Sequence, residues 1–457
     1  MTVDPARLAW AAGAVLLWLL LVALTVWGVE RARRWTRERA AALAGQAGDD
    51  GILIAYASQT GLAEELAWAA ARMVDAAGAG ARIMPLGDVT AAMLAGADRA
   101  LFVVSTTGEG DPPDNAARFV RTLMRAPTAL PDLRFGLLSL GDREYKDFCG
   151  FGRALEAWLR ASGAEPLFDT VEVDDADPAA IRHWQHQVGV LTGSTAEPDW
   201  TPQPYGRWRL ADRRLLNPGS PGGEAWAVTL EPLEDKALAW SAGDVAEIGV
   251  PTPDGQTVSR EYSIASLPSD GRVELLVRLM HRPDGSPGLA SGWLTRTLAI
   301  GDEVPLRLRI NRAFHGPEPA APMILIGNGT GIAGLRAHLR ARALEAETAG
   351  TWLMFGERTR AHDAFYDDEL RAWRDTGVLT RLDRAFSRDP GDGRYVQALV
   401  EAAGPEIADW VGREAAIYVC GSLEGMAPGV EAALVQALGA ERVATLRETG
   451  RYRRDVY

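Results

Sequence analysis

The chain has 457 residues, of which 47% are hydrophobic, and its net charge is −13. That length predicts about three domains of ~150 residues, each with enough apolar side chains for a core. The negative charge argues against nucleic acid as a partner, because no basic patch of useful size is available to neutralise phosphates, and it suits a basic protein partner instead.

Residues 1–30 contain an uncharged apolar stretch at 8–29, which as a helix would measure roughly 33 Å, enough to cross a bilayer. Five arginines follow it within ten residues, whereas only Arg7 precedes it. The positive-inside rule therefore predicts a single-pass anchor in the inner (plasma) membrane, with the catalytic domains in the cytoplasm. A cleaved signal peptide is less favoured, since the apolar stretch is too long and the basic residues lie on the wrong side. Residues 31–50 are predicted to be a juxtamembrane tether.

Three predicted strands in the region 51–194 each end in a loop of small, polar and glycine residues. These are 51–57, followed by Ser58, Gln59, Thr60 and Gly61; 100–104, followed by 105–113; and 135–139, followed by 140–145. In the first loop, hydroxyls and backbone N–H groups at a helix start can converge on a phosphate. Loops at the carboxyl ends of parallel strands form the crevice where open α/β sheets bind ligands.

Residues 195–205 contain three prolines and are predicted to be a linker. Beyond it, strands at 225–230, 245–250, 273–279 and 304–310, broken by Gly, Pro and Asp turns, predict a small antiparallel barrel over 206–318. The final region, 319–457, alternates strands and helices, with the clearest strands at 323–326, 351–355 and 417–420. Its first strand breaks into a glycine turn ahead of a helix that begins near Ile332, a pattern typical of a diphosphate cradle.

These motifs together resemble the diflavin reductase family, which includes the sulfite reductase flavoprotein subunit and the NADPH–cytochrome reductases. Residues 51–193 resemble its flavodoxin-like FMN domain. Residues 260–263, 288–294, 387–388, 420–421 and the final Tyr457 resemble its ferredoxin–NADP reductase module. After the predicted N-terminal transmembrane helix, the resemblance implies a flavodoxin-like, doubly wound α/β domain. A ferredoxin–NADP reductase module follows, made of an antiparallel FAD-binding barrel and an α/β NADP-binding domain.

The resemblance also implies roles for individual residues. For FMN these are Ser58, Gln59, Thr60 and Gly61 at the phosphate; Thr106, Thr107, Gly108, Gly141, Asp142 and Tyr145 around the ring, with Tyr145 stacking on it; and Asp174 at the ribityl chain or ring edge. For FAD they are Arg260, Tyr262, Ser263, Gly288, Ala290 and Ser291. For NADPH they are Gly327, Gly329, Thr330 and Gly331 at the diphosphate and Ser387, Arg388, Arg394 and Tyr395 at the 2′-phosphate. Hydride transfer is assigned to Ser263, Cys420 and Asp455, with Tyr457 covering the flavin.

The chain departs from the family pattern in two ways. Leu62, Thr107, Gly393, Ser422 and Gly429 stand where relatives often have other residues. The helical connecting segment is absent, because residues 246–250 lead almost directly to Arg260. That segment sets the spacing between flavins in the family, so we expect a different arrangement of the two flavin domains here.

The resulting hypothesis is a membrane-anchored, NADPH-dependent flavoprotein reductase that passes electrons from NADPH to FAD, to FMN and on to a protein acceptor. Two acceptor classes are left open: a haem-containing membrane protein, and a cytoplasmic sulfite reductase or haem monooxygenase. The alternative is a flavin-binding redox sensor or scaffold with weakened hydride transfer. Cys149 and Cys420 match no zinc or disulfide spacing, so no metal is predicted and a reducing compartment is favoured.

Overall fold

A computed structural model describes residues 51–457, apart from gaps at 60, 109, 144, 194–203, 235–236, 253–254, 256, 283, 346–347 and 424. The described residues form three sheets that follow one another along the chain. Each sheet has its own core, and the loops that matter for function extend from their ends.

The predicted transmembrane helix needs correction. No helix in the described part of the chain is long and apolar enough to cross a membrane. The two longest there, Leu62–Ala76 and Pro178–Thr192, have 15 residues each, about 22 Å against the ~30 Å of a bilayer core. The apolar stretch 8–29 and the tether 31–50 lie outside the described residues. The predicted fold class is therefore wrong in its membrane-spanning element, and the predicted inner-membrane location is withdrawn with it.

The first sheet is parallel and doubly wound, with strand order β2-β1-β3-β4-β5 and with β6 paired to β4. Its strands are β1 Ile52–Ala57, β2 Ala81–Pro85, β3 Arg99–Ser105, β4 Arg134–Gly141, β5 Glu165–Pro166 and β6 Val171–Asp174. Its helices are α1 Leu62–Ala76, α2 Ala91–Ala95, α3 Ala117–Thr122, α4 Gly150–Ala161 and α5 Pro178–Thr192. The central strands are continuous apolar runs because helices cover both faces of the sheet.

The second sheet is antiparallel, in the order β10-β9-β12-β7-β8-β11. Its strands are β7 Gly206–Leu215, β8 Ala225–Pro232, β9 Val245–Pro251, β10 Thr257–Ser263, β11 Val273–Arg278 and β12 Glu303–Arg309, with one short helix, α6 Leu289–Gly292. The edge strands approach each other where Ala265 N donates to Glu274 O at 2.8 Å, so the sheet curls as expected for a small barrel. Strands β9 and β10 pair directly with Thr257 opposite Pro251, which leaves no room for a connecting segment between them.

The third sheet is parallel, in the order β15-β14-β13-β16-β17. Its strands are β13 Met323–Asn328, β14 Thr351–Glu357, β15 Arg381–Phe386, β16 Ala416–Gly421 and β17 Tyr452–Val456. Its helices are α7 Ile332–Ala343, α8 Arg360–Asp363, α9 Asp367–Asp375, α10 Val396–Ala402, α11 Gly404–Gly412, α12 Met426–Leu438 and α13 Ala440–Glu448. The strand order reverses between β13 and β16, and the crevice at such a point is where open α/β sheets bind ligands.

Candidate functional site

A cavity of about 1360 Å³ lies where loops from all three sheets meet. This volume exceeds the ~300–1,000 Å³ of most single-ligand pockets. Its walls include Ser58 and Tyr145 from the first sheet, Arg260 from the second, and Thr330 and Arg388 from the third. The residues predicted to bind three different groups therefore open into one continuous space.

The loop between β1 and α1 forms one end of this cavity. Ser58 is buried, and its Oγ accepts a hydrogen bond from Gly61 N at 2.9 Å. Ser58 N donates to Asn115 Oδ1 at 3.1 Å, while Gln59 Nε2 donates to Arg454 O at 2.6 Å. Helix α1 begins directly after this turn, so its first N–H groups are available to an anion. Thr60, also predicted here, lies outside the described residues.

Gly61 has a conformation and a contact that only glycine tolerates. Its φ is +95°, and a Cβ there would lie 2.2 Å from the carbonyl oxygen of Ile310, which follows strand β12 of the barrel. The phosphate-type loop of the first sheet thus lies directly against the second sheet.

The two other loops of the first sheet are joined to each other. Thr106 N donates to Leu140 O at 2.9 Å, and Thr106 Oγ1 accepts from Phe151 N at 3.3 Å. The predicted ring-binding residues all line the cavity, namely Thr106, Thr107, Gly108, Gly141, Asp142 and Tyr145. Tyr145 is 44% exposed at the cavity wall.

Asp174 does not line the cavity. Its carboxylate instead holds the loop after β4, accepting from Arg143 N at 3.0 Å and pairing with Arg143 Nε at 3.2 Å. The next residue, Asp175, does line the cavity, with a φ of +41° and a carboxylate 3.9 Å from Arg260 Nη1. Burial raises the pKa of Asp175, and the Arg260 guanidinium partly offsets that effect. Sequence analysis missed Asp175 because the choice between two adjacent aspartates depends on the turn geometry.

Strand β10 carries the predicted FAD residues along the cavity wall. Arg260, Tyr262 and Ser263 all line it, and burial raises the pKa of Tyr262 to about 12. In the second predicted segment only Ser291 reaches the cavity wall, where its Oγ accepts from Met280 N at 3.1 Å. Gly288, at the start of α6, leaves room for the Ser291 side chain, since a Cβ on Gly288 would be 2.9 Å from Ser291 Oγ. Ala290 packs into the barrel core.

The structure brings together the residues predicted for hydride transfer. Ser263 Oγ donates to Asp455 Oδ2 at 2.7 Å, and Cys420 Sγ lies 3.7 Å from the same oxygen. Burial raises the pKa of Asp455, an effect limited by the Ser263 hydroxyl, and burial also raises the pKa of the Cys420 thiol. Tyr457 lies at the cavity edge with its OH 3.4 Å from Thr330 Oγ1. The cluster thus places a hydroxyl at the cavity wall, with a thiol and a carboxyl group buried behind it.

The glycines at the end of β13 have two different roles: some line the cavity, and others allow close packing against the neighbouring strand. Gly329 and Thr330 line the cavity, and Gly329 has a φ of +56°. Gly327 and Gly331 do not line it, because they lie against the next strand: a Cβ on them would be 2.5 and 2.1 Å from Cys420 O. Their small size brings the turn up to β16 at the reversal of strand order.

Three of the four residues predicted for the 2′-phosphate line the cavity, namely Ser387, Arg388 and Tyr395. Arg394 does not, and its guanidinium pairs with Asp392 at 2.6 Å. Sequence analysis missed Arg358, which lines the cavity and has a buried Nη1 without a hydrogen-bond partner among the described residues. Its position just after a buried strand was the available signal, since strand ends in α/β sheets carry ligand-binding residues. Arg278 and Glu357 also line the cavity and were missed.

Known proteins match this chain along most of its length. The family model described as flavodoxin matches residues 54–184, and the model described as an oxidoreductase NAD-binding domain matches residues 325–432. The sulfite reductase [NADPH] flavoprotein alpha-component of Vibrio cholerae is 29% identical over 537 aligned positions, which cover 89% of this chain and 87% of that protein. Its counterpart in Aliivibrio fischeri is 28% identical, with coverage of 99% and 95%. Since the first alignment is longer than the chain itself, that relative contains a stretch without a counterpart here.

Proposed function

Since the chain belongs to the diflavin reductase family, we propose that it is an NADPH-dependent flavoprotein oxidoreductase that holds FMN and FAD at one shared cavity and delivers electrons to a haem-containing protein. The observation that carries this proposal is the cluster of Ser263, Cys420 and Asp455 beside a cavity that is also lined by the loops of the flavodoxin-like domain. Without that shared space, two separate flavin sites would have no short path between them.

The described residues fit the three cofactors. The turn at Ser58 and Gly61 presents N–H groups at a helix start to a phosphate. Arg388 lines the cavity, and its guanidinium suits a phosphate of the coenzyme. When bound, NADPH supplies a hydride, FAD accepts it as an electron pair, and FMN releases electrons singly.

The protein's own residues supply position and electrostatics. Arg260 offers a forked guanidinium to a diphosphate, and the rings of Tyr145 and Tyr262 offer flat faces to a flavin. Ser263 lies at the cavity wall, where its hydroxyl is oriented by Asp455. Arg388 and Arg358 give the coenzyme end of the cavity its positive charge, which favours NADPH over NADH.

A haem-containing protein is the acceptor that we propose. The relatives are named as one component of sulfite reductase, so we expect a second protein to receive the electrons here too. A one-electron acceptor matches a flavin that releases electrons singly, and the net charge of −13 suits a partner with a basic docking face. A membrane-embedded acceptor is no longer proposed, because it depended on the withdrawn anchor.

The proposal is tested by flavin content and turnover. The purified chain should release one FMN and one FAD on denaturation and should reduce ferricyanide with NADPH. Tyr145→Ala should loosen FMN while FAD remains bound, because one stacking face of one site is lost. FAD alone in the wild-type protein would remove the two-flavin claim, and two flavins without NADPH turnover would favour a redox sensor or scaffold.

A further inference from the structure

An ion pair between Arg278 and Glu357 joins the barrel to the dinucleotide-binding sheet at the wall of the cavity. Arg278 ends strand β11 and Glu357 ends strand β14. The two side chains are only 19% and 4% exposed. Arg278 Nη2 donates to Glu357 Oε1, and Arg278 Nη1 donates to Gly223 O at 2.8 Å. Two hydrogen bonds in different directions therefore fix the plane of the guanidinium.

This pair lies directly against the glycine turn that precedes helix α7. A Cβ on Gly329 would be 3.6 Å from both Arg278 Nη2 and Glu357 Oε1. The turn and the following helix start are where a diphosphate binds in such sheets. Arg278 is therefore placed beside the predicted position of the negative charge, and it comes from the other domain.

Glu357 also contacts the segment predicted to bind the 2′-phosphate. Its backbone oxygen accepts from Ser387 N at 2.8 Å and from Ser387 Oγ at 3.3 Å. Its Oε2 accepts from Arg358 N at 2.7 Å. Glu357 thus contacts Arg278, the backbone of the adjacent Arg358, and Ser387 in the segment predicted to bind the 2′-phosphate.

A buried carboxylate in a site for a polyanionic coenzyme is unfavourable in two respects. Burial desolvates it, which raises its pKa although Arg278 acts in the opposite direction. Its charge also repels the phosphates. What the carboxylate contributes in return is the orientation of Arg278, with which it pairs.

We propose that Glu357 is a positioning residue for the coenzyme diphosphate, which holds Arg278 against the turn at Gly329. This inference rests on the proposed NADPH-dependent function. Because the diphosphate is common to both coenzymes, Glu357 should affect NADPH and NADH alike, whereas Arg388 should affect NADPH only.

The test compares the wild type, Glu357→Gln, Arg278→Lys and the double variant. It measures KM and kcat for NADPH and NADH, and the binding of NADP⁺ by calorimetry at fixed salt. Glu357→Gln keeps the volume but removes the charge-assisted contact, so both KM values and the dissociation constant of NADP⁺ should rise about tenfold. In the Arg278→Lys background the same change should have little further effect, because Glu357 acts through Arg278.

Other outcomes overturn the inference. Unchanged coenzyme binding with a lower unfolding midpoint would make Glu357 only a link between domains. Tighter NADP⁺ binding by Glu357→Gln would mean that the Glu357 charge acts mainly by repelling the phosphates. Additive effects of Glu357→Gln and Arg278→Lys in the double variant would mean that Glu357 does not act through Arg278. If Glu357→Gln does not fold, Glu357→Asp takes its place: it keeps the charge but shortens the side chain, so it should weaken both coenzymes in the wild type and have little further effect in the Arg278→Lys background.

Two controls separate this inference from the proposed function. Glu303→Gln removes a carboxylate that pairs with Arg207 on the barrel surface, with side chains 44% and 63% exposed, and it should leave all values unchanged. Arg388→Ala should weaken NADPH much more than NADH. If the wild type itself does not bind NADP⁺, the proposed function fails. If the wild type binds it and Glu357→Gln binds it equally well, only the inference fails.

Discussion

His338 is a buried histidine whose protonation opposes folding. It is 2% exposed, lies edge-on to Phe314, and has a Nε2 without a hydrogen-bond partner among the described residues. Burial, with the nearby charges of His315 and two arginines, lowers its pKa to about 3. Between that value and the ~6.5 of an unfolded chain, only the unfolded state binds the proton, so stability falls as the pH drops through this window.

This gives a prediction for stability. Between pH 7 and pH 5, His338 should cost the fold about 2 kcal/mol. His338→Asn keeps a side-chain N–H but cannot titrate, so its loss of stability over that range should be smaller by this amount. Urea unfolding at both pH values measures it, with His183→Asn, on an exposed residue of α5, as the control. Equal losses in the wild type and His338→Asn would mean that another group dominates.

Single residues show where sequence reasoning ends. The motifs at residues 58–61, 260–263 and 327–331 led to side chains or turns that border the cavity, because their glycines and hydroxyls have local physical reasons to be there. Asp174 and Arg394 face away from it, toward Arg143 and Asp392. Arg278 and Arg358 line the cavity instead, and their positions depend on how sheets from different parts of the chain meet. The roles of all these residues stay predictions until they are tested.

The turn between β1 and α1 provides a prediction at the level of an element. Gly61→Ala must adopt a left-handed conformation, which costs about 1–2 kcal/mol, and its methyl group would meet Ile310 O. The turn should shift and bind FMN more weakly, so the ratio of FMN to FAD in the purified protein should fall. Gly78→Ala is the matched control, because Gly78 follows the same helix with a φ of +77° and nothing within 4 Å. Equal FMN loss in both variants would show that backbone strain alone is responsible.

Apolar strands were easier to predict than strands rich in charged residues. The sequence predicted strands such as 100–104 and 323–326, which the structure extends to Arg99–Ser105 and Met323–Asn328, because both of their faces are covered. It did not predict β7 or β17, in which arginines interrupt the apolar pattern. Strand β17 lies at the edge of its sheet, where one pairing partner suffices. Such strands form because a neighbouring strand is available, and local sequence does not encode that neighbour.

At the scale of the whole molecule, ion pairs join the flavodoxin-like domain to the reductase module. Asp114 pairs with Arg454 at 2.6 Å and with Arg447 at 3.3 Å, and Glu64 pairs with Arg312 at 3.0 Å. Asp114 is adjacent to Asn115, which accepts from Ser58 N in the phosphate-type loop. Arg454 is adjacent to Asp455, which accepts from Ser263. The contact between domains is thus continuous with both predicted sites, and no sequence motif indicated it.

This arrangement predicts that docking of the flavodoxin-like domain depends on Asp114. Its side chain is 14% exposed and faces two arginines, so Asp114→Asn should weaken docking much more than loss of a surface pair would. Small-angle X-ray scattering at moderate salt should show a larger radius of gyration for Asp114→Asn than for the wild type. The wild type should expand to a similar radius only at high salt, because salt screens partly buried ion pairs less than exposed ones.

Glu172→Gln is the control: it breaks an exposed pair with Arg153 inside the flavodoxin-like domain and should leave the radius of gyration unchanged. If Asp114→Asn and the wild type have the same radius at every salt concentration, Asp114 is not needed for docking, and other contacts such as the Glu64–Arg312 pair are sufficient.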